Sequence, residues 1–237
     1  MPRAVRRAVT AAVERGVASA GIAAVRALDS DVIGQAHHPR GAAGSVTGWV
    51  FAHRPSNRQR NSWVVSLLDV QPADRVLEIG FGPGLAVAEL ARAGAGHVYG
   101  MDHSAVMLRQ ASRRNAAAIR AGRVTLINAS ADRLPAALDG PFDAILAVNS
   151  LGFWPDPAER LADLRRRLAP GGRIAIASQP RCPGATAGTS RSAADEVENL
   201  LRSAGFTHLS TETLPLSPPV ICVLAAAPGP DAHHARG

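Results

Sequence analysis

Three glycines and two carboxylates are the residues of this chain best spaced for chemistry. Residues 76–84 read VLEIGFGPG, an apolar run that carries Glu78 and then opens into Gly80, Gly82 and Gly84. Glycine has no Cβ, so a loop of this composition lets a ligand approach the backbone closely. The spacing is G-x-G-x-G, not the G-x-G-x-x-G of dinucleotide enzymes. Pro83 also removes one N–H from the loop, which would weaken a pyrophosphate cradle but costs less with a ligand that has no phosphate. Asp102 ends a second apolar run about twenty residues past the loop, where a carboxylate can accept from two ribose hydroxyls. A structural turn or an NAD site is the competing reading of the glycines. Asp102 could equally cap a helix beginning at Ser104, and that role is compatible with binding ribose.

The elements that must position these residues follow from the apolar pattern. From residue 74 onward, short apolar runs alternate with amphipathic segments. The runs at 75–79, 97–101, 124–128, 142–148 and 173–178 read as strands. Helices are expected over 84–93, from a cap at Ser104 through Ala116, from Asp156-Pro157 to Leu168, and over 192–204. Residues 207–214 and 220–225, separated by Ser217-Pro218-Pro219, read as an antiparallel pair. Alternating β and α elements imply an α/β fold, a doubly wound and mostly parallel sheet with helices on both faces.

Upstream, residues 3–28 read as one or two helices with valines every fourth residue, 34–48 as a glycine-rich loop, and 56 or 57 to 68 as a further helix. The chain divides into an N-terminal helical extension and loop (1–56), the main domain (57–226) and a polar tail (227–237) expected to be disordered.

Composition narrows the function classes. The chain has 237 residues, enough for one domain with an added terminal segment, and its 46% hydrophobic content supports a substantial core. The formal charge of +7 comes entirely from arginine, since lysine is absent. The arginines are spread along the chain, and their company of alanine and glycine reads as coding bias rather than as a nucleic-acid stripe. Cys182 and Cys222 cannot form a disulfide framework and lack metal-ligand spacing. The histidine pairs 37–38 and 233–234 lie in loop-like segments, so no metal site is expected. No run approaches the ~20 apolar residues needed to span a bilayer, and no signal segment is evident, so a cytoplasmic protein is expected. The basic N-terminal helix reads as a packing or homodimer element ahead of a membrane-docking one.

VLEIGFGPG, followed by YGMDHS (99–104), FDAILAVNSLGFWPDP (142–157) and LAPGG (168–172), resembles the motif series of the class I S-adenosylmethionine (SAM)-dependent methyltransferases. The resemblance covers about residues 57–226. It implies a Rossmann-like sheet of seven strands ending in an antiparallel hairpin, with SAM as cofactor. By position, Glu78, Gly80, Phe81, Gly82 and Gly84 match the loop that holds the methionine portion of SAM. Asp102 matches the ribose-binding acid, and His103 the next residue along adenine. Residues 129–135 (ASADRLP) match the segment that pins the adenine edge, with Ser130 where an aspartate is usual. The adenine amine would then meet Ser130 or Asp132, with Ala131 between them. Asn149 matches the residue beside the sulfonium.

In such enzymes the region before the first strand closes over SAM, which makes Asn57, Arg60 and Asn61 candidate substrate contacts. His53 is the candidate general base, because histidine titrates near neutrality. Trp154 reads equally as core filling or as a wall of the substrate pocket. Asn149-Ser150-Leu151-Gly152 is not the N/D-P-P-Y pattern of base and amide methylation, so the expected acceptor is a small molecule or small peptide methylated on oxygen or nitrogen. A lipid acceptor, or a SAM-binding module without catalysis, is the alternative.

Overall fold

The computed structural model describes residues 55–180 and 182–229. The expected N-terminal helices, the loop at 34–48, His53 and the last eight residues lie outside the described residues. Helix α1 (Pro55–Leu67) leads into a single seven-stranded sheet. Its strands are β1 (Arg75–Ile79), β2 (His97–Asp102), β3 (Val124–Asn128), β4 (Phe142–Val148), β5 (Leu168–Ser178), β6 (Thr207–Leu214) and β7 (Val220–Ala226), arranged β3-β2-β1-β4-β5-β7-β6. The first five pair in parallel, while β7 runs antiparallel to both β5 and β6. The strand order reverses between β1 and β4, and ligands of open α/β sheets bind at the carboxyl ends of the strands at such a point.

The crossover helices are α2 (Leu85–Ala93), α3 (Ala105–Arg114), α4 (Ala116–Arg120), α5 (Pro157–Arg167) and α6 (Ala187–Ser203). Side chains alternate along each strand, so β1 supplies Leu77 and Ile79 to one layer and Val76 to the other. The first layer packs under α5 and α6 through Leu161, Leu164, Val197 and Leu201. The second packs under α1, α2 and α3 through Val64, Leu68, Leu90 and Met107. Glu78 shares the face of Val76, and is therefore a carboxylate aimed into an apolar layer. Among the described residues no helix is long and apolar enough to cross a membrane.

Two helix boundaries differ from the sequence expectation. The helix capped by Ser104, whose hydroxyl accepts from Met107 N–H, ends at Arg114 and does not run through Ala116. Asn115 breaks the regular helix (φ −100°, ψ 15°), and its amide Nδ2 donates to the carbonyls of Ala111 and Gly84. The last crossover helix starts at Ala187 and not near 192, because Thr186 and Thr189 form a reciprocal cap at its N-terminus.

Candidate functional site

The glycine loop is moored from three sides. Gly80 N–H donates to the Met101 carbonyl of β2 at 2.8 Å, and Gly84 N–H to the Phe81 carbonyl at 2.8 Å. The Ser150 hydroxyl donates to the Ile79 carbonyl at 2.6 Å, Asn115 Nδ2 to the Gly84 carbonyl at 3.1 Å, and Arg114 Nε to the Pro83 carbonyl at 3.0 Å. All three glycines have positive φ, but their surroundings differ. A Cβ on Gly80 would stand 2.5 Å from Ser150 Cβ, and one on Gly84 2.7 Å from Ala111 Cβ, whereas one on Gly82 would meet nothing within 4 Å. The outer two glycines are thus required for packing, and the middle one faces open space. Phe81 packs inward, with its ring in the second core layer, so it serves the loop through its backbone.

Asp102 closes the loop from the end of β2. Its Oδ2 accepts from Gly82 N–H at 2.8 Å, and its Oδ1 from Ser104 N–H at 2.8 Å. Ser104 itself caps α3, so the aspartate anchors the loop while the serine holds the helix. A carboxylate has about four lone-pair positions. Two are used here, and two hydroxyl donors can still be taken. Burial pushes the Asp102 carboxyl up, against the pull of the Ser104 and Gly82 N–H groups and of His103. The His103 ring lies 3.8 Å from Asp102 Oδ1 and is the more exposed of the two.

Glu78 is strongly perturbed. Burial, and then the charge of Asp102, push its carboxyl from 4.5 up to about 8, with the Val87 N–H pulling the other way. Its Oε2 is buried without a hydrogen-bond partner. An unpaired buried polar atom is costly, and one placed beside a glycine cradle marks a position where a bound cation or donor would complete the site.

Beyond Asp102 the chain continues the site along the sheet edge. Ala129 N–H and the Asn128 side-chain amide both donate to the Asp102 carbonyl, at 3.0 and 2.8 Å. They hold residues 130–132 beside β2. Ser130 accepts from Asp132 N–H at 3.5 Å, a local turn, and the Ser130 and Asp132 side chains are exposed while Ala131 is half-buried.

On the opposite side, Asn149 follows β4 with φ 53°. Its Oδ1 accepts from Gln179 N–H at 2.7 Å. Gln179 Oε1 in turn accepts from Arg60 Nη1 at 2.7 Å, and Gln179 Nε2 donates to the Pro218 carbonyl at 2.9 Å. Helix α1 therefore sits over this end of the sheet with Asn57, Arg60 and Asn61 all buried. Asn61 Nδ2 donates to the Asn57 carbonyl at 2.6 Å, a bond internal to the helix. Arg60 instead reaches across to Gln179, just past β5. An open groove of about 360 Å³ adjoins Gln179, lined also by Ser56, Cys182, Ala185, Ser217 and Pro218.

Trp154 is buried at 7% in the first core layer, and the exposed aromatic of that turn is Phe153 at 48%. Cys222 lies in the core, where burial pushes its thiol up to about 12.

Ser150, Asn115, Arg114 and Gln179 carry much of this geometry and were not singled out by sequence reasoning. A polar residue that bonds a distant backbone carbonyl leaves no periodic signal. Only Ser150, next to Asn149 at the end of an apolar run, stood where such a role could have been suspected.

Comparison with known proteins places this geometry. Residues 76–172, the segment from β1 into β5, match a family model described as a methyltransferase domain. An uncharacterized methyltransferase, YdaC, of Bacillus subtilis (strain 168) is 30% identical over 186 residues, covering 77% of this chain and 98% of YdaC. The O-methyltransferase resE of Aspergillus sclerotiorum is 29% identical over 154 residues, which span 60% of this chain and 58% of that enzyme. In fold, the chain is similar to the N-methyltransferase NodS from Bradyrhizobium japonicum WM9, solved with S-adenosylhomocysteine (SAH), at a TM-score of 0.60 and 18% identity over 76% of this chain and 91% of NodS. Motif order, sheet topology and a relative matched along nearly its whole length agree: the chain belongs to the class I SAM-dependent methyltransferases.

Proposed function

We propose that the enzyme methylates an oxygen or nitrogen of a small-molecule or small-peptide acceptor seated in the groove beside Gln179. One observation carries this reading: every described residue lining the groove is uncharged. The names of resE and NodS, an O- and an N-methyltransferase, support both attacking atoms.

Along the carboxyl edge of the sheet the assignments fall in a line. Asp102 at β2 would take the ribose hydroxyls, with His103 and residues 130–132 along the adenine. Gly80, Gly82 and Gly84 after β1 would pass the methionine chain, with Glu78 facing its amino group. Asn149 after β4 would stand beside the sulfur, and the groove follows at β5 and β7. From β2 to β5 is three strand spacings, about 14 Å, room for an extended nucleoside–amino acid with an acceptor beyond it. SAM supplies a methyl carbon already activated by a positively charged sulfur. The chain's own contribution is alignment, and holding two reactants in register supplies several kcal/mol on its own. α1 and the Arg60–Gln179–Asn149 chain fix the acceptor side of that alignment.

Glu78 gives a pH-dependent check. Its folded pKa of about 8 lies above the ordinary 4.5, so the folded state holds this proton more tightly than the unfolded one. The stability linked to that proton is full below about pH 4.5 and is lost as pH rises through 8. Glu78→Gln should therefore raise Tm by several degrees above pH 8 and leave it nearly unchanged at acid pH. The same variant should weaken SAH binding about tenfold, or about 1.4 kcal/mol, because the amide still accepts a hydrogen bond but cannot take on the carboxylate charge that would pair with the ligand's ammonium. Thermal unfolding across pH, with and without SAH, reads both effects.

The acceptor class is tested with methyl-labelled SAM and a panel of phenols, carboxylic acids, amines and short peptides. Label on one of these small acceptors is expected. Label found only on nucleic acid or on lipid vesicles would contradict the proposal.

A further inference from the structure

The Gln179 side chain has its orientation fixed by what surrounds it. A guanidinium only donates and a carbonyl only accepts. The contacts to Arg60 at 2.7 Å and to the Pro218 carbonyl at 2.9 Å therefore force Oε1 towards α1 and Nε2 towards the β6–β7 turn. Flipping the amide would set donor against donor and acceptor against acceptor. Nε2 carries two hydrogens, and Pro218 takes one. Gln179 and Pro218 both line the groove, and Pro218 is the acceptor that Nε2 meets among the described residues, which leaves the second N–H for an acceptor seated in the groove. The backbone of the same residue holds Asn149 at 2.7 Å, which ties this donor to the residue proposed to stand beside the sulfur.

We infer that Gln179 is the specificity-determining residue for the acceptor, and that it selects molecules carrying a hydrogen-bond-accepting oxygen, such as a carbonyl, beside the attacked atom. The inference rests on the groove being the acceptor site. Arg60 acts as a positioning residue, since it holds the amide in the donating orientation. Among the described lining residues, the other polar side chains are those of Ser56, Cys182 and Ser217. Ser56 and Ser217 hydroxyls rotate to donate or accept and impose no such polarity.

The test uses the full chain saturated with SAH and two neutral, isosteric probes. Acetophenone has a carbonyl oxygen where α-methylstyrene has a methylene group. Their affinities are compared by ligand-observed NMR for the wild type, Gln179→Leu and Gln179→Glu. The glutamate variant keeps an acceptor for Arg60 and so guards against misfolding, but it turns the groove-facing group into an acceptor. One neutral hydrogen bond of about 1 kcal/mol corresponds to about fivefold in affinity. The acetophenone-to-methylstyrene affinity ratio should therefore fall about fivefold in Gln179→Leu and at least as far in Gln179→Glu. SAH binding should persist in both variants, because the bond to Asn149 comes from the backbone. Failure of the wild type to bind SAH would strike the cofactor site itself. An unchanged ratio in both variants, or no acetophenone binding to the SAH-saturated wild type, would overturn the role of Gln179 alone.

Discussion

Asp102→Ala is expected to weaken SAH binding by at least about a hundredfold, roughly 2.7 kcal/mol. The carboxylate serves two groups of contacts at once. It accepts from Gly82 and Ser104 N–H, both at 2.8 Å, and its remaining lone pairs are those proposed to take the ribose hydroxyls. Each hydrogen bond to a charged acceptor contributes about 1.5–3 kcal/mol, so losing the ribose pair alone accounts for the effect. Loosening of the loop adds to it. Asp102→Asn should be nearly as damaging despite its shape. The carboxamide has one accepting oxygen, and its NH₂ would confront one of the two backbone donors. Titration calorimetry with SAH measures the loss, and amide exchange at Gly82 and Ser104 should accelerate in both variants. Binding within threefold of the wild type in Asp102→Asn would show that the carboxylate does not hold the ligand.

The second large effect separates packing from binding within one loop. Gly84→Ala would place a methyl 2.7 Å from Ala111 Cβ and 2.8 Å from Asn115 Nδ2, at φ +75°. Overpacking costs about 1–3 kcal/mol and the left-handed backbone about 1–2 more. A loss of about 3 kcal/mol of stability is therefore expected with no ligand present. Gly82→Ala carries the left-handed cost, at φ +50°, but meets no atom within 4 Å. Its fold should survive with a loss of about 1 kcal/mol, while SAH affinity falls far more, because the new methyl occupies the space a ligand would use. Denaturant midpoints and SAH titrations of the two variants give the comparison. Gly82→Ala binding SAH like the wild type would contradict the assignment of the loop.

Much of this arrangement is legible in the sequence because it is periodic or local. The runs at 75–79, 124–128 and 142–148 are the strands β1, β3 and β4 residue for residue, since each is a short apolar segment bounded by turn residues. The proline-rich break at 217–219 correctly signalled the antiparallel pairing of β6 with β7. The Gly80–Gly84 loop and Asp102 meet as their spacing implied, because a strand–loop–helix–strand unit has few ways to fold. What escaped is non-local. Asn115 interrupts an otherwise helical pattern to reach a carbonyl 31 residues away, and Ser150 reaches one 71 residues away. Their amide and hydroxyl act through geometry that only the assembled sheet creates. Gln179 is of the same kind: an unremarked polar residue just past β5, bonded to Asn149, Arg60 and Pro218 from three separate segments.

Cofactor and acceptor are proposed to lie in order along the carboxyl edge of the sheet. A crystal structure of the full chain with SAH tests this order most directly. The ribose hydroxyls are expected on Asp102, the amino group against Glu78 beside the glycine loop, and the sulfur facing the groove at Gln179. SAH bound with its ribose out of hydrogen-bonding reach of Asp102, or with its sulfur turned away from that groove, would contradict it.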